Sequence, residues 1–403
     1  KFFVEKINIF GNNVTEETVI RNKLEIDEGD PFNEVLLTKS INNIKSTNFF
    51  KSVKEEILSN ENNDKTINIY VEEKPTGEIA AGAGYGTDGS TIFFAVSENN
   101  YLGKGIDLDT NLELSPQRIK GSFRTTNPNY KNTDYSLSLS IEADEIDQLS
   151  NFGYKSNKTG FSVGTKFEYY DDLFLGLGTS SYYETIETDS TASSRQKKQE
   201  GDYWDSFINV DFFYDKRNQK FKTSEGYFSN YILNIPVLSS NYSLTSGYSY
   251  KYFSELYENN VSTIGFSLKG STSITDKDIK LSERLYIPSN KLRGFVRGKV
   301  GPKDGDDYIG GNYITSLNFS STLPQILSNL QNVDFLIFFD AANVWGVDYD
   351  STIDDANQIR SSFGIGVDWF TPIGPLNFSF AQDLSKHEND KTESFRFNLG
   401  TTF

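Results

Sequence analysis

Apolar and polar residues alternate with a period of two along most of residues 78–403, and this pattern limits the chain to β-structure there. In one run Tyr135, Leu137, Leu139 and Ile141 alternate with Ser136, Ser138, Ser140 and Glu142. Comparable runs occupy residues 106–114, 161–169, 363–369 and 395–403. Strands of this kind form a sheet with one apolar and one polar face. Such a sheet must either pack against a second layer or close on itself.

Strand length and charge favour a membrane barrel over a soluble sandwich. The strands run to about ten residues, the length that crosses a bilayer at a tilt. The carboxylates of Asp107, Asp109 and Glu113 all point to one face, and they need a wet lumen because unpaired carboxylates are costly to bury. Aromatic residues make up 14% of the chain and cluster near strand ends, as interfacial girdles do.

Counting strands after residue 77 predicts a sixteen-stranded antiparallel transmembrane barrel. An even number of strands returns both chain ends to the same side, which places the amino-terminal domain in the periplasm beside the short turns. Mean hydropathy is -0.50 and no eighteen apolar residues run together, so transmembrane helices are excluded. The membrane is therefore crossed by strands.

The first 75 residues predict a small α+β domain of order β-α-α-β-β. Residues 3–10 alternate like a strand, and residues 15–24 and a segment starting at the N-cap Asn33 have helical spacing. Two strands follow over residues 50–57 and 66–71. The Pro and Gly of residues 74–77 predict a linker, which divides the chain into domains 1–75 and 76–403.

Charge and residue content exclude several functions. The formal net charge is -17 at pH 7, which would repel a nucleic acid. No Cys is present, and the single histidine, His387, lies in a polar turn and is predicted to be at the surface, so no nucleophile with its base can be assembled. The acidic residues 304–307 lack the full spacing of a calcium loop and predict a solvated segment. We therefore expect no enzyme, no metal site and no cofactor.

A long connection contains the sequence Leu292-Arg293-Gly294-Phe295 among further cations and glycines. Loops of this length inside a compact β-region are usually functional or disordered. The spacing of the glycines around Phe295 favours a tight fold-back with positive φ angles over disorder. We interpret Arg293 and its neighbours as the tip of a plug that needs an acidic partner.

Four passages resemble the BamA family of outer-membrane barrel-assembly proteins, covering the last periplasmic POTRA domain and the whole barrel. They are Phe2–Phe10 with Gly11, Asn12 and Asn48–Phe50; Tyr85-Gly86 with Asn100–Gly103; Tyr214–Asn218 with Ser224–Gly226; and Leu292–Phe295 with Gly301-Pro302. The last is similar to the family's [VIL]RGF motif in the sixth extracellular loop, here about residues 285–307, which folds into the lumen in the family. An RGF tripeptide alone is a weak signal, but the four passages in this order are highly specific.

The resemblance also implies partners for the loop. In the family the loop arginine pairs with acids on the following strands. The aspartate matches Asp340, whereas Asn318 stands where the family has a glutamate, which leaves one charged anchor instead of two. The segment Tyr214, Asp215 and Arg217 is expected to form a lumen network. No catalytic residue is implied.

Glycines indicate where two strands of the barrel would separate most easily. Gly82, Gly84 and Gly86 lie in the first barrel strand and Gly400, with the terminal Phe403, in the last. Glycine in a strand costs about 0.5 to 1 kcal/mol relative to Ala. These residues predict a weak lateral seam, at which an incoming strand could pair by β-augmentation.

The family's function implies folding and insertion of β-barrel proteins in the outer membrane of a Gram-negative-type bacterium. The implied partners are nascent barrel proteins, accessory periplasmic lipoproteins and outer-membrane lipids. Two alternatives remain at this point. One is a polypeptide-translocating pore of the same superfamily, of the two-partner secretion type or TamA-like, and the other is a passive porin.

Overall fold

The computed structural model describes residues 2–60, 64–86, 89–219, 223–257, 260–323, 332–349, 352–371 and 374–399. The chain forms two compact units. One comprises residues 1–80, 95–111 and 123–140, and the other comprises residues 81–94, 112–122 and 141–403. None of the helices in these described ranges is long and apolar enough to cross a membrane.

The amino-terminal residues form a three-stranded sheet with two helices. The elements are β1 (Val4–Phe10), α1 (Glu17–Arg21), α2 (Glu34–Ser46), β2 (Phe50–Ser59) and β3 (Lys65–Glu73). The sheet order is β1-β3-β2, with β1 parallel and β2 antiparallel to β3. The predicted order β-α-α-β-β is confirmed, although α1 is shorter than residues 15–24.

Helix α2 begins where the sequence predicts, because the Asn33 side chain accepts hydrogen bonds from the backbone N–H groups of Val35 and Leu36. Its inward residues Leu37, Ile41 and Ile44 are buried, in agreement with their spacing of three to four residues. They pack in one apolar core with residues of β1 and β3.

The remaining long strands form a closed barrel of sixteen antiparallel strands, which confirms the predicted fold class. The strands are β4 (Gly77–Gly86), β5 (Gly89–Tyr101), β6 (Ile106–Ser115), β7 (Arg118–Asn127), β8 (Ser136–Gln148), β9 (Tyr154–Tyr170), β10 (Leu173–Thr188), β11 (Gly201–Asp215), β12 (Gly226–Ser239), β13 (Ser243–Tyr257), β14 (Asn260–Ser273), β17 (Tyr313–Thr322), β18 (Val333–Trp345), β19 (Arg360–Thr371), β20 (Gly374–Ser385) and β21 (Phe395–Leu399). Short elements in the connections are α3 (Leu149–Phe152), α4 (Ser194–Lys197), β15 (Lys303–Asp304) and β16 (Asp307–Tyr308).

The two faces of the barrel wall follow the period of two. On β18, Ile337 and Phe339 are exposed on the outer face, whereas Phe338 and Asp340, which alternate with them, are buried. Outward apolar side chains suit a hydrocarbon surrounding, and the inward face carries the polar groups. Groups on the barrel strands can therefore be assigned to one face or the other by their position along the strand.

Candidate functional site

The connection that carries the predicted plug tip runs from residue 274 to residue 312, between β14 and β17, and is longer than the expected 285–307. We refer to residues 274–312 as loop six. It contains the two-residue strands β15 and β16, which pair with each other. At its tip Gly294 has φ +87°, a conformation that L side chains rarely adopt. A Cβ there would lie 3.0 Å from the Cβ of Ala381, so the glycine allows the tip to lie directly against β20.

Arg293 forms a bidentate ion pair with Asp340 of β18. Its Nε lies 2.7 Å from Oδ2 and its Nη2 2.8 Å from Oδ1, and the Arg293 backbone N–H donates to Oδ2 at 3.1 Å. The guanidinium also lies 3.5 Å from the ring centroid of Phe338. A planar guanidinium fits a carboxylate in this bidentate manner, and a lysine could not reproduce it.

Asn318 of β17 completes the surroundings of Asp340. Its Nδ2 donates at 2.8 Å to Asp340 Oδ1 and at 2.8 Å to the carbonyl of Lys291 in loop six. The Asp340 side chain is fully buried, and these donors satisfy its charge. A glutamate at position 318 would bring a second carboxylate to Asp340, whereas the amide donates to it. Asn318 is therefore a neutral anchor of loop six.

Phe295, at the tip of loop six, is 2% exposed. It packs with the apolar residues Leu292, Val300, Ala342 and Val344. Its backbone forms a β-bridge with Thr392, in the connection before the last strand, β21. The tip is thus held by apolar packing as well as by charge.

Loop six has charged anchors that the sequence did not reveal, so the expectation of a single charged anchor is wrong. The Nζ of Lys280 lies 3.0 Å from Glu184 Oε2 of β10, bonds Asp205 of β11, and lies 3.2 Å from Glu283 Oε1. We call Lys280, Glu184, Asp205 and Glu283 the Lys280 cluster. The lysine side chain is 1% exposed. No sequence pattern points to Lys280, because its partners Asp205 and Glu184 on the barrel strands lie 75 and 96 residues away in the chain.

The electrostatics of the Lys280 cluster favour a charged lysine. Burial by itself lowers the pKa of Lys280, but Glu283, Glu184 and Asp205 outweigh it and raise that pKa above its ordinary value. Burial raises the pKa of Glu283, against the opposing effect of Lys280. The single cation therefore neutralises a group of carboxylates that would be costly to bury alone.

Replacing Lys280 with Met is expected to destabilise the barrel by about 3–5 kcal/mol, because the substitution leaves buried carboxylates without a cation. Urea unfolding in detergent micelles, followed by tryptophan fluorescence, measures the loss. Lys277→Met in the same loop is the matched control, since Lys277 is exposed and donates only to a backbone carbonyl. Equal stability of the two variants would contradict a role of the Lys280 cluster in holding loop six.

The expected network of Tyr214, Asp215 and Arg217 is only partly correct. Arg217 Nε and Nη2 each lie 2.8 Å from the Asp215 carboxylate, so these two residues form an ion pair. Tyr214 precedes Asp215 on β11 and therefore points to the opposite face, where its ring lies 5.8 Å from that of Tyr227. Tyr214 is not a member of the network.

Two predictions of solvent exposure are only partly correct. The Asp304 side chain is 10% exposed and lies 3.3 Å from Arg195 Nη1 in an ion pair, whereas residues 305 and 306 of the same acidic segment are exposed. The side chain of His387 is 15% exposed, and its Nε2 lies 3.2 Å from Asp354. In the part of the chain that the structure describes, no group of three or more His, Cys, Asp or Glu residues could hold a metal ion.

The first and last barrel strands pair with each other, with Tyr85 opposite Leu399 and Gly86 opposite Asn398. Gly400 and Phe403 lie outside the described residues. Gly82 does not leave a packing gap: a Cβ there would lie 2.3 Å from the ring of Phe93 on β5, so the ring occupies that space. Gly84 is buried.

The first residues of strand β4 are exposed on both faces. Ile79 is 76% exposed, and the neighbouring Glu78 and Ala80 on the opposite face are exposed as well. A segment accessible on both faces has few side-chain contacts to hold it in place. We call the junction of β4 and β21 the lateral seam.

Together, a sixteen-stranded barrel, an inward loop pinned by Arg293 and a small β-α-α-β-β domain define an outer-membrane β-barrel protein with a periplasmic POTRA domain. The family models agree with this class. The Omp85 superfamily domain matches residues 100–403, and the POTRA model, described as a surface antigen variable number repeat, matches residues 2–74. The chain belongs to the Omp85 superfamily.

Curated relatives carry the name outer membrane protein assembly factor BamA. The proteins from Neorickettsia risticii and Neisseria meningitidis are each 25% identical to this chain and match it over its full length. The chain spans 55% and 57% of those two relatives, respectively, or about half of their length.

Solved structures show the same fold. The crystal structure of BamA from Haemophilus ducreyi lacking POTRA domains 1–3 has a TM-score of 0.84 at 22% identity, covering 99% of this chain and 84% of that one. CdiB from Acinetobacter baumannii has a TM-score of 0.64 at 12% identity, covering 99% and 74%.

Proposed function

We propose that this chain is the barrel and adjoining POTRA domain of an outer-membrane protein assembly factor, which folds and inserts β-barrel proteins at its lateral seam. Similarity over the whole of this chain to part of proteins named assembly factor BamA supports the proposal, but the observation that carries it is the contrast between two parts of the wall. Strands β17 to β19 are hydrogen-bonded to loop six, whereas residues 78–81 at the start of β4 are exposed on both faces.

The working step is an exchange of hydrogen bonds and needs no covalent chemistry. In hydrocarbon each unpaired backbone group costs several kcal/mol, so β4 and β21 part only when another strand takes up the freed groups. A nascent outer-membrane strand that pairs with β4 supplies those hydrogen bonds by β-augmentation. The client then grows strand by strand from this template and is released when its own first and last strands pair.

Loop six would brace the wall from inside during this exchange. Its tip is hydrogen-bonded to β17 through Asn318, to β18 through Asp340 and to β19, where Ser362 Oγ donates at 2.5 Å to the Arg293 carbonyl. These contacts keep neighbouring strands in register, so that opening is confined to the lateral seam. The proposed partners are nascent barrel proteins, accessory periplasmic lipoproteins of an assembly complex and the surrounding lipids. We propose no enzymatic activity.

Crosslinking to a stalled client tests this proposal. A cysteine replacing Ala83, which is exposed on β4, should form a disulfide with a cysteine in the last strand of the client. Leu268→Cys on β14 is the control, because residue 268 is 44% exposed but lies away from the lateral seam. The chain has no native cysteine, so background is low. Equal crosslinking at both positions, or none at 83, would refute seam-directed assembly.

The polypeptide-translocating pore has less support. The curated relatives that match the whole of this chain carry the name outer membrane protein assembly factor BamA. Planar-bilayer conductance separates the two functions, since a large steady current is expected for a pore and small erratic openings for an assembly factor.

A further inference from the structure

The tip of loop six is connected to the last barrel strand as well as to the wall. Backbone hydrogen bonds join Val296 N to the Lys391 carbonyl at 2.9 Å and Glu393 N to the Gly294 carbonyl at 3.0 Å. Residues 391 and 393 immediately precede β21. The tip is therefore hydrogen-bonded to the backbone of the segment that leads into the last strand.

One side chain of β21 extends this connection into the strand itself. Arg396 Nη2 donates at 3.1 Å to the carbonyl of Phe295, the residue at the centre of the tip. The same guanidinium donates from Nε to Glu393 Oε1 at 2.6 Å. Arg396 is 6% exposed, so these bonds are made away from bulk water.

The position of Arg396 in β21 makes its side chain point to the lumen. Phe395 and Phe397 flank it, and their rings stack on each other at 6.1 Å between centroids. Because alternate residues of a strand point to opposite faces, Arg396 points to the lumen, where loop six lies. Deleting this one side chain would leave the outward aromatic face of β21 unchanged.

The charged contacts of the tip are thus divided between two parts of the wall. Arg293 of the loop reaches Asp340 on β18, and Arg396 of β21 reaches back to the loop. The first fixes the tip to the wall, and the second fixes the last strand to the tip. Any displacement of β21 at the lateral seam must break or move the second contact.

We propose that Arg396 is a positioning residue that couples loop six to the lateral seam, by holding β21 against the Phe295 carbonyl until a client strand competes for its edge. This role rests on the proposed function, in which the lateral seam is the working site. Glu393 keeps the guanidinium aimed at the carbonyl, because its Oε1 contacts both Nε and Nη2 of Arg396. The coupling needs no new ligand and no change of covalent structure.

Hydrogen–deuterium exchange of the chain in lipid nanodiscs measures this coupling directly. In Arg396→Met, peptides that contain residues 395–399 should exchange about tenfold faster than in the unaltered protein, the expected effect of losing a charge-assisted hydrogen bond. Peptides from β12 and β13 should be unchanged. Arg396→Lys should be intermediate, since an ammonium can reach the carbonyl but cannot keep the two-sided geometry.

Arg118→Met is the matched control. Arg118 of β7 also forms a two-pronged ion pair, with Asp144 of β8 at 2.8 and 2.6 Å, but it has no contact with loop six. It should leave exchange of residues 395–399 unchanged. The proposal is overturned if β21 exchanges at the unaltered rate in Arg396→Met, or if all barrel peptides speed up together, which indicates a merely structural role.

The exchange experiment and the assembly experiment distinguish failure of the coupling from failure of the proposed function. If Arg396→Met loosens β21 while a covalently locked seam still assembles clients, the coupling stands and the proposed function is wrong. If a locked seam blocks assembly while Arg396→Met leaves exchange unchanged, the proposed function stands and the coupling is wrong.

Discussion

A disulfide between positions 85 and 399 is expected to abolish assembly of client barrels and to leave the barrel itself folded. Tyr85 and Leu399 are opposite each other at the lateral seam, and opposed residues of antiparallel strands are close enough for a disulfide. A covalent bond between β4 and β21 prevents an incoming strand from taking the place of either. The measurement is insertion of a model barrel protein into liposomes that contain Tyr85→Cys/Leu399→Cys, before and after reduction.

A second disulfide provides the control for this experiment. Tyr248 of β13 and Leu268 of β14 are also register partners, and both are exposed on the outer face. A disulfide between cysteines at 248 and 268 adds the same constraint away from the lateral seam, so assembly should continue at the unaltered rate. Assembly that persists with the 85–399 bond fully oxidised would remove the lateral seam from the mechanism.

The fold was predictable from the sequence because its signals are local. A period of two fixes which side chains share a face, and the alternating runs at residues 106–114, 161–169 and 363–369 lie in barrel strands as this pattern predicts. The N-cap Asn33 and the spacing of Leu37, Ile41 and Ile44 likewise act within one helix. Patterns within one strand or one helix can be recognised without knowledge of the tertiary structure.

The anchors of loop six were predictable only where a motif carried them. Arg293 belongs to the RGF motif, which pointed to Asp340, whereas Lys280 lies in a polar stretch that resembles many solvated segments. Arg360 was missed for the same reason: its side chain is fully buried against Asp390 in the connection after β20, 30 residues away. Pairs of this kind depend on how a loop folds back, and period-two patterns carry no such information.

Tyr214, in contrast, was included in a site to which it does not belong. The resemblance grouped it with Asp215 and Arg217 because the three are close in sequence. Adjacent residues of a strand cannot share a face, so the local rule of alternation correctly separates Tyr214 from the ion pair and the motif does not. A motif identifies a segment of chain, whereas alternation identifies which of its residues can act together.

Arg293→Ala is expected to leave a folded barrel and to reduce client assembly severely. The substitution removes both prongs of the ion pair with Asp340, whose side chain is fully buried and would retain only Asn318 and a backbone N–H as donors. Removing one partner of a buried pair costs about 3–5 kcal/mol, because the other charge is left uncompensated. Heat-modifiable mobility in gels reports folding, urea unfolding reports stability, and client insertion into liposomes reports assembly.

The double variant Arg293→Ala/Asp340→Ala separates stability from function. Without Asp340 no uncompensated carboxylate remains, so part of the lost stability should return, as interacting residues show in a double-mutant cycle. Assembly should stay low, because loop six still lacks its ion pair with β18. Arg217→Ala, which breaks the ion pair with Asp215 away from loop six, should assemble clients normally. Recovery of assembly together with stability in the double variant would show that the Arg293–Asp340 pair only stabilises the barrel and that bracing by loop six has no part in assembly.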